Sequence, residues 1–118
     1  MKTARRRARE YAVQGIYEWQ LNADRPASLI EKHLRENDYF VKADEALFRE
    51  ILFGVLRDVT ELSKRLQPYY DRDEQEVSPV ERAIMLMAAF EPLLMAVWPT
   101  ENMLRAMKPS LMALADSS

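Results

Sequence analysis

The stretch that decides the fold is residues 47–66, LFREILFGVLRDVTELSKRL, in which apolar residues return at every third or fourth position. This spacing places them on one face of a helix and predicts the spine of a helical core that ends at Pro68. The pattern allows a break into two helices between Gly54 and Asp58. The apolar stripe consists of Leu47, Phe48, Ile51, Leu52, Val55, Val59, Leu62 and Leu66.

Two further helices are predicted before this stretch. Apolar residues at helical spacing indicate a first helix over residues 4–21. Gly15 on its inner face indicates either a close helix crossing or simple tolerance of the cost of glycine in a helix. A shorter helix is predicted over about residues 26–37, with Pro26 in its first turn. Residues 39–41 form an apolar connection to the main stretch. The buried face of the short helix is predicted to consist of Leu29, Ile30, His33 and Leu34.

The sequence Ser78-Pro79-Val80-Glu81 has the pattern of a capping box that opens another helix. Its apolar residues face more than one side, which predicts a central helix that Pro92 interrupts. Six of the seven methionines lie between residues 85 and 112, and residues 100–118 have only a weak amphipathic pattern. The part of the chain after Pro92 is therefore expected to form a marginal helix at best.

Composition narrows the class of protein to a single all-α domain over residues 1–118. The chain is 48% apolar and 31% charged, with only two glycines and no cysteine. Disulfides, a thiol nucleophile and a zinc finger are thereby excluded, and a reducing cytoplasm is the expected compartment. No apolar run is long enough to span a membrane, and no membrane partner is expected. The lone His33 and the isolated glycines predict no enzyme, no metal site and no cofactor. The acidic residues 71–76 are predicted to form a solvated linker.

Charge is distributed unevenly along the chain. Residues 1–10 carry five basic side chains and one acidic one, whereas the remaining residues carry twelve basic and eighteen acidic ones. Such a basic helix start is suited to RNA, because arginines neutralise phosphates and Tyr17, predicted to lie off the inner face, could stack on an unpaired base. The alternative is a solubilising terminus with Tyr17 as a partly buried edge residue.

The segment Arg5–Leu21, RRRAREYAVQGIYEWQL, resembles the opening helix of the bacterial transcription antitermination factor NusB family. Further matches follow in the same order at residues 42–49, 54–55, 68–69, 80–84 and 89–91, so the resemblance covers about residues 1–91. It implies an all-α, NusB-like helical bundle built from two small bundles.

The resemblance also implies a function without catalysis. Members of the family pair with NusE, a small-subunit ribosomal protein, and bind the boxA segment of nascent single-stranded RNA within the RNA polymerase antitermination complex, notably on ribosomal RNA operons. Glu81 matches a segment near the partner interface, where it could also serve the capping box. The residues that match the RNA-contacting helix are Arg5, Arg6, Arg7, Arg9 and Tyr17, with Lys2 and Gln14 as weaker candidates.

After Glu91 the chain departs from the family pattern. The family's C-terminal helices are missing or replaced, and residues 92–118 form a divergent tail of the kind that a shifted reading frame would leave. RNA and NusE binding by this chain are therefore expected to be impaired. The alternative function is a helical protein-interaction module, without specific RNA binding, that associates with itself or with another helix, because flexible methionines suit irregular surfaces.

Overall fold

The computed structural model describes residues 2–69 and 77–91, and within these ranges every regular element is helical. The all-α prediction is confirmed. The predicted linker at 71–76 and the tail from Pro92 onward lie outside the described residues. The helices are α1 (Ala4–Leu21), α2 (Ala27–Arg35), α3 (Glu45–Arg57), α4 (Val59–Leu66) and α5 (Pro79–Phe90), with single 3-10 turns at Phe40–Lys42 and Gln67–Tyr69.

The long stretch 47–66 is broken into α3 and α4 at Asp58, inside the predicted interval. Asp44 opens α3, because its carboxylate accepts a hydrogen bond from the Leu47 N–H at 3.1 Å. At the break, the Arg57 guanidinium donates to both carboxylate oxygens of Asp58, at 3.0 and 2.9 Å. The apolar stripe nevertheless continues through both helices, and the side chains of Phe48, Leu52 and Val55 are fully buried.

The first helix has the predicted bounds and is central to the fold, since α2, α3 and α5 all pack against it. Gly15 lies where α1 crosses α2 and α3. A Cβ atom at this position would lie 2.8 Å from Leu52 Cδ1 and 3.2 Å from Leu34 Cδ1. The structure therefore favours the close crossing over simple tolerance.

The fifth helix begins as the capping pattern predicts. Ser78 Oγ accepts a hydrogen bond from the Glu81 N–H at 3.1 Å, and Pro79 occupies the first turn. The buried residues of α5 lie on more than one side, which confirms its central position. Its end packs on α3, where a Cβ atom added to Gly54 would lie only 2.3 Å from Phe90 Cζ.

The second helix differs from its prediction in length and in its buried face. It starts at Ala27, with Pro26 at the N-cap position, and only Ile30 and Leu34 are buried. Leu29 is 49% exposed and His33 is exposed as well. This nine-residue helix lies at the edge of the bundle, so a narrow stripe of side chains one turn apart is enough to bury its contact face.

Candidate nucleic-acid interface

The exposed start of α1 is basic. Thr3 caps the helix, with Oγ1 accepting from the Arg6 N–H at 3.1 Å, and the first turn contains no acidic residue. Lys2, Arg5 and Arg6 are exposed. Cations at a helix N-terminus oppose the helix dipole, so this cluster does not serve helix stability. The dipole and the arginines together favour a bound anion at this end of α1.

One carboxylate partly neutralises the cluster. Glu10 lies 3.0 Å from Lys2 Nζ and 3.4 Å from Arg6 Nε. Arg5 has no ion-pair partner within the described parts of the chain. Because Glu10 carries a single charge between two cations, the start of α1 keeps a net positive charge.

Arg9 has a different position from the other arginines. Its Nε and Nη2 atoms donate to the two carboxylate oxygens of Glu91, both at 3.3 Å. Both side chains are partly buried, and the pair joins α1 to the end of α5. The predicted cationic surface therefore divides into the exposed Lys2, Arg5 and Arg6, the half-buried Arg7, and Arg9, which is engaged within the fold.

The predicted position of Tyr17 off the inner face of α1 is wrong. Tyr17 is only 6% exposed, and Val13, one turn earlier, is fully buried. The reason is that three helices surround α1, so a second stripe of the helix is buried besides the one that the spacing identifies. In this arrangement the Tyr17 ring presents no open face to a base. Gln14 is half-buried on the same helix.

The structure brings two residues outside α1 next to the basic cluster. The 39–42 turn, Tyr39 to Lys42, lies beside the start of α1, and the Asp44 N–H donates to the Ala4 carbonyl at 2.9 Å. Tyr39 is 58% exposed. The Arg7 guanidinium carbon lies 5.8 Å from the centre of the Tyr39 ring, and Lys42 Nζ lies 5.5 Å from it. The sequence showed only an apolar connection here, with nothing to distinguish the aromatic residue that faces outward.

Glu81, the predicted partner contact, lies half-buried in the first turn of α5. The neighbouring Arg82 donates to Gln20 Oε1 at 3.2 Å and to Ser63 Oγ at 3.1 Å, which joins α5 to α1 and α4. The capping position of Glu81 is confirmed through its backbone N–H. Its contact with a protein partner stays a prediction.

The described residues contain neither a candidate metal site nor a helix that could span a membrane. Residues 2–69 and 77–91 contain no group of histidine and carboxylate side chains that could hold a metal ion. No helix in these same ranges has the length and apolar character needed to cross a membrane.

The family model that describes the NusB family matches residues 6–106. This chain belongs to the NusB family. The match covers α1 from Arg6 onward, with Arg7 and Arg9, and extends beyond Glu91 into the segment that the motifs mark as divergent.

Proteins named "Transcription antitermination protein NusB" from three bacteria illustrate the similarity. The one from Chromobacterium violaceum is 77% identical over 91 residues, which are 77% of this chain and 61% of the relative. The one from Laribacter hongkongensis is 62% identical over 91 residues, covering 77% of this chain and 54% of the relative. The one from Neisseria meningitidis serogroup B is 45% identical over 91 residues, covering 77% and 64%. The chain thus spans less than two thirds of the length of these NusB relatives.

Proposed function

We propose that this protein is a noncatalytic transcription antitermination factor that binds boxA-type single-stranded RNA through the basic start of α1. The observation that carries the proposal is the exposed cluster Lys2, Arg5, Arg6 at the positive end of the α1 dipole. Relatives that match about three quarters of the chain are named as transcription antitermination proteins, which supports this reading. The protein would act in the cytoplasm, as part of the RNA polymerase antitermination complex.

The physical basis of binding is the neutralisation of phosphates. Each phosphate that a lysine or arginine neutralises releases condensed counterions, so affinity falls as the salt concentration rises. For single strands the slope of log affinity against log salt is about −0.7 per phosphate. A surface with three or four available cations therefore predicts a measurable slope, and removal of each cation should reduce it.

The test is a fluorescence-anisotropy titration of a short, labelled boxA-type RNA over a series of salt concentrations. Arg5→Ala combined with Arg6→Ala should weaken binding at low salt and reduce the slope by about 1.4, the value for two phosphates. Arg57→Ala combined with Arg65→Ala is the matched control, because it removes the same charge from exposed positions of α3 and α4. Equal affinities and slopes for the two double variants would contradict the assignment of the site. In that case sedimentation of the same samples would test the alternative of a self-associating helical module.

A second part of the proposal is pairing with NusE through the surface of α5 that contains Glu81. Glu81→Gln keeps the backbone N–H that Ser78 caps but removes the charge. It should weaken capture of NusE while leaving the melting temperature unchanged. Ser78→Ala is the reverse control, because loss of the cap costs about 0.5–2 kcal/mol of stability without altering Glu81. If Glu81→Gln instead lowers the melting temperature and leaves NusE capture intact, Glu81 has a capping role only.

A further inference from the structure

The 39–42 turn places two adjacent aromatic residues on opposite sides of the backbone. Phe40 points inward, with its ring centre 5.2 Å from that of Tyr11 and 5.0 Å from that of Phe48, both in edge-to-face arrangements. Tyr39 is 58% exposed, whereas Phe40 is 6% exposed. Packing of Phe40 in the core therefore sets the direction in which Tyr39 faces solvent.

Hydrogen bonds hold the backbone on both sides of Tyr39. Asn37 Oδ1 accepts from the Tyr39 N–H at 2.9 Å and from the Tyr11 hydroxyl at 2.7 Å. Burial raises the pKa of Tyr11, so its hydroxyl stays protonated as the donor in this bond. At the other end of the turn, the Asp44 N–H donates to the carbonyl of Ala4 in α1. The exposed ring thus lies on a backbone that is organised before any ligand arrives.

The charges around Tyr39 connect it to the start of α1. Arg7 and Lys42 lie 5.8 and 5.5 Å from the ring centre, and neither has an ion-pair partner within residues 2–69 and 77–91. Arg7 belongs to α1 and lies at the Tyr39 ring, so it links the basic start of the helix to the turn. Asp38 is the acidic residue next to Tyr39 along the chain.

We propose that Tyr39 is a stacking surface for an unpaired base of single-stranded RNA, with Arg7 and Lys42 placed to neutralise the adjacent phosphates. An exposed aromatic ring with cations nearby is the arrangement by which proteins hold single strands, because the ring contacts the base while the cations follow the backbone. The positive charge of Arg7 and Lys42 next to the ring favours RNA over an apolar protein surface as the occupant. This inference rests on the proposed RNA binding by α1, which it extends to the 39–42 turn.

The test uses the full chain and a short boxA-type RNA that contains the fluorescent base 2-aminopurine. Tyr39→Leu should weaken binding roughly 5- to 100-fold and lose the quenching that stacking causes, while the salt dependence stays the same. Tyr39→Phe should retain both affinity and quenching, because the ring remains. Lys42→Ala should reduce the salt slope by about 0.7 without abolishing quenching. Val41→Ala is the matched control, because Val41 is an exposed apolar neighbour that carries no ring.

The outcomes separate this inference from the function on which it rests. If Tyr39→Leu binds RNA as the wild type does, while the Arg5 and Arg6 double variant is weakened, the stacking role is wrong and RNA binding by α1 stands. If the wild-type chain shows no salt-dependent RNA binding, both proposals fail. If Tyr39→Leu reduces NusE capture but leaves RNA affinity unchanged, the turn contacts protein and the inference is overturned. An unchanged melting temperature for Tyr39→Phe and Tyr39→Leu verifies that folding is intact in each case.

Discussion

The two parts of α1 differ in what surrounds them. In the basic part, residues 4–10, Arg5 and Arg6 are exposed, whereas no residue of the core part, residues 11–20, is exposed. Helices α2, α3 and α5 pack around α1, and the basic part projects beside the 39–42 turn. One helix can thus serve as both core and ligand surface, because its charged and apolar residues are separated along its axis as well as around it. Substitutions in the core part should alter stability, and those in the basic part should alter RNA binding.

The largest expected effect is loss of stability from a cavity in the core part. Ile16 is fully buried, so Ile16→Ala should lower the free energy of unfolding by about 2–5 kcal/mol. Arg5→Ala, in the basic part, should change it by no more than about 0.5 kcal/mol. Urea unfolding followed by circular dichroism measures both. Equal losses for the two variants would remove the distinction between the two parts.

Overpacking at the helix crossing should have the next largest effect. Gly15→Val places a branched side chain where even a Cβ atom would lie 2.8 Å from Leu52 Cδ1. We expect a loss of about 1–3 kcal/mol in the same urea assay. The loss should be smaller when Leu52→Ala is already present, because the shorter side chain leaves room. A penalty that is the same in both backgrounds would show that the close approach to Leu52 is not its cause.

In the basic part, removal of a negative charge should strengthen RNA binding. Glu10 pairs with Lys2 and Arg6, so Glu10→Gln releases both cations for phosphates. Affinity for boxA-type RNA should rise by a few fold at low salt, and the gain should fade as salt screens the charges. The cost in unfolding free energy should stay below about 1 kcal/mol, as for other exposed ion pairs. Weaker RNA binding by this variant would mean that Glu10 positions the cations instead of competing with RNA.

The smallest expected effect concerns the one acidic residue in the core part. Burial raises the pKa of Glu18, although His33 and Arg25 lower it in part. A raised pKa means that the folded state holds the proton more tightly than the unfolded state does. The stabilising contribution is therefore complete below the unfolded pKa of about 4.3 and is lost as the pH rises through the folded value. Glu18→Gln stays neutral throughout, so its stability relative to the wild type should increase as the pH rises through this range. Thermal melts at acidic and neutral pH test this, and a relative stability that falls with pH would contradict it.

Much of the fold follows from patterns within a few residues. The bounds of α1, the break near Asp58 and the Ser78 cap depend on helical spacing and on contacts between neighbours in sequence, and all three were predicted correctly. The family was also identifiable from the motifs through Glu91, and the match to residues 6–106 confirms it. The exposure of the basic start of α1 was also predictable from local sequence, since a cluster of arginines is too costly to bury without partners.

The faces of the helices were less predictable. Tyr17 was expected to face outward and His33 inward, and the structure shows the reverse in both cases. Periodicity identifies one apolar stripe, but it does not state how many neighbours a helix has. The helix α1, which three other helices surround, buries more than one stripe of side chains. The short helix α2 at the edge of the bundle buries only part of its predicted stripe.

The sequence by itself therefore determined the helical class, the main helix boundaries, the family and the basic end of α1, because local spacing, capping and charge are sufficient for each. Only the tertiary structure decided that Arg9 joins Glu91, that Tyr17 is buried and that Tyr39 is exposed near Arg7 and Lys42. Each of these depends on contacts between residues far apart in the chain. Packing around α1 and the inward position of Phe40 select which side chains remain available to a ligand.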